Sequence, residues 1–269
     1  MRNPAPIHHQ LATAFASGGV ALGAWTTLPT PISGEIMSRA GFDYVCIDMQ
    51  HGLADYSDTL AILTAISLGT ATSVVRVPWN EQGIIGRVLD AGALGIIIPM
   101  VNSRQEAEAA VRSCRYPPEG VRSFGPIRAM RQHGSGYFVG ANQAVKCICM
   151  VETMTALDNL DAIVSTPGVD AIYVGPSDLS VSLGLPPVNN DGTAAFDDAL
   201  AAIVATCQQH GVVPGIHSNP TLAPARAAQG FRMVTVTADD VALVDAINSH
   251  RKSVIDALNS TGQPDFPNT

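Results

Sequence analysis

Eight apolar runs recur along the chain: ALGAWTTL (21–28), DYVCIDMQ (43–50), TSVVRVPW (72–79), LGIIIPMV (94–101), AVKCICMVE (144–152), DAIYVGP (170–176), GVVPGIHS (211–218) and FRMVTVT (231–237). Their apolar character is continuous rather than alternating, as expected of strands buried on both faces in a parallel sheet. Between them the spacing becomes helical, as in SRQEAEAAVRSC after the fourth run and AAFDDALAAIVATCQQHG before the seventh. The second of these ends on Gly211, where a helix C-cap favours a residue free to turn left-handed. Eight strands with intervening helices predict an α/β chain folded as a (β/α)8 TIM barrel, with a doubly wound open sheet as the alternative. Residues 1–18 are expected to form an extra N-terminal helix and residues 259–269 a loose tail, all within a single domain spanning 1–269.

A barrel of this kind places its chemistry at the C-terminal ends of its strands, so polar residues there carry more meaning than those at strand starts. The second run ends in Asp48 and, three residues later, His51; the third carries Arg76; the fifth ends in Glu152; and the sixth runs into GPSDLS with Asp178. This set combines carboxylates of the kind that bind hard cations with an acid/base pair. Each member also has a plain structural reading. Asp48 and His51 could be a helix cap and a loop histidine, Arg76 could pair with Glu152, and Ser177 with Asp178 could cap a helix. The coincidence of all five at one rim favours chemistry.

Composition narrows the setting. Charged residues make up only 14% of the chain and hydrophobic ones 46%, which points to extensive burial and to self-association. The formal charge of −8 argues against nucleic-acid partners, and no run approaches the length of a membrane span. The opening MRNPAPIHHQ lacks the apolar centre of a signal peptide, so a cytoplasmic location is expected. Five cysteines lie within apolar stretches without a CxxC pair and read as small buried hydrophobes.

Taken in order, GAW (23–25), GFDYVCIDMQHG (41–52), VVRVPW (74–79), LDAGALGIIIPMV (89–101), YPPEGVRSFGP (116–126), MVET (150–153) and VGPSDLS (174–180) resemble the HpcH/HpaI family of class II, metal-dependent pyruvate aldolases, typified by 2,4-dihydroxyhept-2-ene-1,7-dioate aldolase. The likeness runs from about residue 18 to about residue 245. It implies that Glu152 and Asp178 hold a divalent cation, Mg²⁺, Mn²⁺ or Co²⁺, and that Arg76 contacts the ketone and enolate oxygen. It further implies that Asp48 and His51 form an acid/base dyad, that backbone amides around Gly175, Ser177 and Asp178 hold the 2-oxoacid carboxylate, with Pro176 among the substrate-binding residues, and that Trp25 lines the pocket. Asp90 matches a residue that crosses to a neighbouring subunit's site, which suggests a homo-oligomer, a hexamer by family analogy.

The expected activity is reversible aldol cleavage of a 4-hydroxy-2-oxoacid to pyruvate, or a close 2-oxoacid, plus an aldehyde. Such a step needs an enolate, whose growing charge a dication and a fixed arginine can neutralise. A Schiff-base route is disfavoured because the only lysines are Lys146, at the start of the fifth run, and Lys252, near the C-terminus. Two positions depart from many relatives: Met150, where a glutamine is common, and His217, where an apolar pocket residue is expected. The arginine-rich loop after the fourth run offers Arg122, with Ser123 and Arg128, as a further substrate contact, or else serves as a rigid subunit contact. Two other readings stay open, a CoA-ester lyase of the citrate-lyase β type and a non-catalytic 2-oxoacid-binding barrel.

Overall fold

The computed structural model describes residues 7–260. Eight parallel strands, β1 (Ala21–Thr26), β2 (Tyr44–Asp48), β3 (Thr72–Arg76), β4 (Gly95–Ile98), β5 (Lys146–Met150), β6 (Ala171–Val174), β7 (Val213–His217) and β8 (Met233–Ala238), pair in sequence order. They close into a barrel through β8 against β1, with a register shift between Gly23 and Ala24. Each predicted run coincides with one strand, β8 ending one residue past the eighth run, and the open-sheet alternative is excluded by closure.

Two apolar layers follow from the period-two alternation of strands. Outward residues such as Val45, Ile47, Val75, Ile96 and Ile172 pack against the surrounding helices. Inward residues, among them Tyr44, Cys46, Val74, Ile97, Ile148, Tyr173 and Met233, fill the barrel interior. The five cysteines are buried and free. Gly23 is required on β1 because the Tyr44 ring lies across it; a Cβ there would sit 2.0 Å from the ring carbon Cζ.

The expected N-terminal helix spans Gln10–Ser17, shorter than residues 1–18, the first six of which lie outside the described residues. Its N-cap His9 reaches Thr72 Oγ1 at 3.2 Å and the Ala144 carbonyl at 2.9 Å, and Leu11 enters the interior cluster beneath the strands. The helix Tyr56–Ile66 opens with a reciprocal capping box between Asp55 and Asp58. The helix Ala194–His210 ends at Gly211 in the left-handed region, φ 68°, as its sequence implies. A final helix, Asp239–Ser260, runs to the edge of the described chain, and most of the expected tail at 259–269 lies beyond it. Among the described residues no helix is long and apolar enough to cross a membrane.

Candidate active site

The inward-facing parity that buries Tyr44 and Cys46 on β2 also turns Asp48 inward, and the same parity on β3 carries Val74 to Arg76. Asp48 and Arg76 are register partners across β2 and β3. They meet side-on: Arg76 Nε donates to Asp48 Oδ1 at 2.9 Å and Nη2 to Oδ2 at 2.6 Å. Burial pushes the Asp48 carboxyl up, but hydrogen bonds and charge from Arg76 outweigh it and hold the group below the ordinary carboxylate range. The guanidinium also lies 5.2 Å from the Trp25 ring centroid, within cation–π range.

Asp48 therefore supports Arg76 rather than the His51 ring. Its Oδ1 accepts the backbone N–H groups of Gln50 at 3.0 Å and His51 at 3.2 Å, an Asx-type turn that shapes the segment after β2. The exposed His51 side chain stands at the mouth of the same cavity.

Glu152 follows β5 and is 1% exposed. Its Oε1 accepts the Met100 amide at 2.8 Å, and Met100 is the one non-glycine with positive φ, 56°, among the described residues. That left-handed backbone, which costs about 1 kcal/mol, aims the Met100 N–H at the carboxylate. Gly175 leaves room for the other oxygen, since a Cβ there would lie 2.5 Å from Glu152 Oε2. Burial, joined by the Asp178 charge, pushes the Glu152 carboxyl up to about 7. Asp178 sits in the first turn of the short helix Pro176–Ser182.

These elements surround a cavity of about 200 Å³. Of the sequence candidates, Trp25, His51, Arg76, Gly175, Pro176, Ser177, Asp178 and His217 line it, and Met150 and Tyr173 join them. Glu152 lies behind its Gly175 wall. Tyr173 was missed, although stepping back two residues from Gly175 along β6 would have placed it on the inward face.

Arg122 goes elsewhere. Its guanidinium is buried, Nη2 donating to Asp90 Oδ1 at 2.8 Å and Nη1 to Tyr137 Oη at 3.1 Å, with the Tyr116 ring 4.3 Å away. The expected substrate contact is thus replaced by an internal ion pair that secures the loop, and Arg122 and Asp90 border a separate cavity with Ser123. Arg128 is likewise committed, to the Ala91 and Leu63 carbonyls at 2.6 and 3.1 Å.

Among the described residues no group of three or more His, Cys, Asp or Glu side chains is arranged to hold a metal ion. Glu152 and Asp178 supply two carboxylates, one deeply buried and raised by the other's charge. A hard dication relieves that repulsion, so the donor set suits one while leaving coordination positions for substrate and water.

A family model described as HpcH/HpaI aldolase/citrate lyase matches residues 21–246. A hydroxypyruvate/pyruvate aldolase from Rhizorhabdus wittichii is 38% identical over 250 residues, 93% of this chain and 98% of the relative. A 5-keto-4-deoxy-D-glucarate aldolase from Shigella dysenteriae is 37% identical over 235 residues, covering 86% of this chain and 91% of its own. The crystal structure of a family member from Burkholderia cenocepacia superposes with a TM-score of 0.84 at 32% identity, over 92% of this chain and 99% of that one. The chain belongs to the HpcH/HpaI aldolase/citrate lyase family and is a carbon–carbon lyase.

Proposed function

We propose that the chain catalyses divalent-metal-dependent, reversible aldol cleavage of a 4-hydroxy-2-oxoacid to pyruvate, or a close 2-oxoacid, and an aldehyde. The observation that carries this reading is the convergence of Arg76, His51 and Asp178 on one cavity, with Glu152 behind its wall. Glu152 and Asp178 would hold the cation, Mg²⁺, Mn²⁺ or Co²⁺, which when bound supplies a Lewis acid for the 2-oxoacid.

The protein's own side chains account for the rest. Asp48 fixes Nε and Nη2 of Arg76, leaving Nη1 to face the keto oxygen as it gains enolate charge. Trp25 and Tyr173 exclude water from that charge, which strengthens the interaction. His51, free of the Asp48 carboxylate, removes the C4 hydroxyl proton in cleavage and returns it in synthesis. Backbone amides of Ser177 and Asp178 at the start of Pro176–Ser182 face the carboxylate.

Self-association is part of the proposal. Val241, Val244, Ile247 and Val254 are each more than half exposed on Asp239–Ser260, an apolar stripe at helical spacing. A homo-oligomer would cover it.

The test is pyruvate release from a panel of 4-hydroxy-2-oxoacids by EDTA-treated protein, with each cation added back and malyl-CoA as a counter-substrate. Metal-restored cleavage of a hydroxy-oxoacid supports the reading. Cleavage of malyl-CoA alone would replace it with a CoA-ester lyase.

A further inference from the structure

Four polar groups to which the mechanism above gives no proton or hydrogen-bond role form one line through the barrel interior. Tyr44 Oη on β2 meets Thr235 Oγ1 on β8 at 2.8 Å; Thr235 Oγ1 meets Tyr173 Oη on β6 at 2.5 Å; and Tyr173 Oη meets His217 Nδ1 on β7 at 3.5 Å. Tyr44, Thr235 and Tyr173 are fully buried. His217 ends the line at the cavity wall, its ring edge-on to Trp25 with centroids 5.0 Å apart.

The direction of this line follows from hydrogen-bond accounting. Each hydroxyl has one proton to give, and Tyr44 is the blind end: Thr235 Oγ1 lies 2.8 Å from its phenol oxygen, while Tyr173, the other hydroxyl acting on it, makes no well-aligned hydrogen bond with it. If the protons ran from His217 inward, Tyr44 would keep a buried O–H without a well-placed acceptor. Run outward, every proton is used: Tyr44 donates to Thr235, Thr235 to Tyr173 and Tyr173 to His217 Nδ1. The imidazole must then carry its proton on Nε2. Burial, with help from the Arg76 charge, pushes His217 down to about 4, so the ring stays neutral at ordinary pH.

The surroundings say what such a donor would meet. His217, Ser177 and Pro176 line both the site cavity and an adjoining one of about 260 Å³. The second cavity has one cation among its lining residues, Arg226, which is paired with Asp191 at 2.6 Å. It also holds Ser218, whose buried Oγ has no hydrogen-bond partner among the described residues. These walls offer neutral hydrogen bonds and no uncommitted positive charge, which suits a hydroxyl group better than a second carboxylate.

We propose that His217 is a specificity-determining residue, held by the Tyr44–Thr235–Tyr173 line as a neutral Nε2–H donor, which selects substrates bearing a hydroxyl on the reacting carbon of the 2-oxoacid or on the carbon next to the aldehyde's reacting carbonyl. The hydroxyl belongs either to the 2-oxoacid, at C3, or to the aldehyde, at its α-carbon. Tyr44 acts as a positioning residue, through the proton direction it imposes. The substrate part of this inference rests on the aldolase reading; the tautomer does not.

Two measurements on the full-length, metal-loaded protein test it. In the first, kcat/KM is compared for glycolaldehyde against acetaldehyde with pyruvate, and for hydroxypyruvate against pyruvate with one fixed aldehyde. Wild type should favour the hydroxylated member of one pair by about tenfold or more, H217L should bring that ratio close to one, and H217Q should keep part of it. An unmoved ratio in H217L for both pairs overturns the proposal, and the pair that responds identifies the carbon. Tryptophan fluorescence titrations with hydroxypyruvate against pyruvate, and with glycolaldehyde against acetaldehyde, give the corresponding ratios for binding, so absence of turnover would sink the aldolase reading and still decide this one.

The second measurement is the ¹⁵N spectrum of the histidines, assigned by loss of one ring in H217Q. His217 should be protonated at Nε2 and not at Nδ1, and Y44F should convert it to a mixture of tautomers, an effect that mere loss of packing would not produce. Protonation at Nδ1 in wild type overturns the proposal.

Discussion

Asp48 and Arg76 stand opposite each other in the β2–β3 register and are joined by two parallel hydrogen bonds, 2.9 and 2.6 Å. A fork-on-carboxylate pair of this kind fixes the guanidinium plane, which a single contact would not. D48N keeps the shape but removes the charge and half of the grip. We expect kcat/KM to fall by about a hundredfold, with KM for the 2-oxoacid changing less than kcat. R76K should be worse than D48N, because a lysine cannot occupy the same fork. Steady-state kinetics of both variants check this ordering.

The Glu152 carboxyl, pushed up to about 7 by burial and by Asp178, has to lose its proton before it can bind a cation. Apparent metal affinity should thus be flat above pH 7 and weaken by roughly tenfold per pH unit below it. Calorimetric titration of stripped protein in buffers of different ionisation enthalpy should show proton release on binding at pH 6 and almost none at pH 8. E152Q should remove both the pH dependence and the tight binding. A pH-independent affinity in wild type would exclude Glu152 as a ligand.

Gly175 tests the architecture without altering any charged group. In G175A the new methyl would lie 2.5 Å from Glu152 Oε2 and 3.1 Å from the Met150 Cε. The methionine can give way but the carboxylate, held at its other oxygen by the Met100 amide, cannot. Turnover should drop by about a hundredfold or more. Unfolding temperature should also fall, by about a few degrees, because one added methyl strains a buried contact between Gly175 and Glu152. Parallel kinetics and calorimetry separate the two effects.

Acid stability has a separate source. Burial, aided by the Arg128 charge, pushes His133 down to about 4, below the ordinary 6.5 that it regains in the unfolded chain. The depressed value means that the unfolded state takes up the proton first. The stabilisation is complete above pH 6.5, is lost as pH falls from 6.5 toward 4, and then levels off. Allowing for the partial exposure of this side chain, about 2 kcal/mol is at stake. Denaturant midpoints across that window should fall less steeply in H133Q than in wild type.

The apolar stripe on Asp239–Ser260 makes a prediction about assembly. Light scattering coupled to gel filtration should show an oligomer for wild type and a smaller species for the V244D/I247D pair. A monomeric wild type would refute self-association through this helix.

The barrel was legible because a strand covered on both faces cannot hide its composition, and all eight runs mark strands. Their ends were less so. The run 72–79 overshoots β3 by three residues, and Trp79 at its end is 54% exposed. Continuous apolarity, an interior property, stops meaning anything where the chain leaves the sheet. The site residues on strand ends were legible for the same geometric reason, whereas Arg122 was not. Its place was decided by Asp90 and Tyr137, 32 and 15 residues away, which with Tyr116 of its own loop form an enclosure that no local pattern reports. The helices Ile127–His133 and Tyr137–Ala144 follow that loop and are too short to stand out by periodicity. Met100 escaped because its importance lies in its backbone angle, on which its side chain is silent.

Leu11 and the interior cluster above it close the barrel from below, so the reaction chamber is a cul-de-sac. Whatever lies deepest must wait for whatever lies nearer the doorway. Were the 2-oxoacid to bind deepest, as the proposed roles of Arg76 and Glu152 require, the aldehyde would depart first in cleavage and the 2-oxoacid would enter first in synthesis. The stopper at the far end of the molecule would thereby set an itinerary for both substrates while touching neither of them.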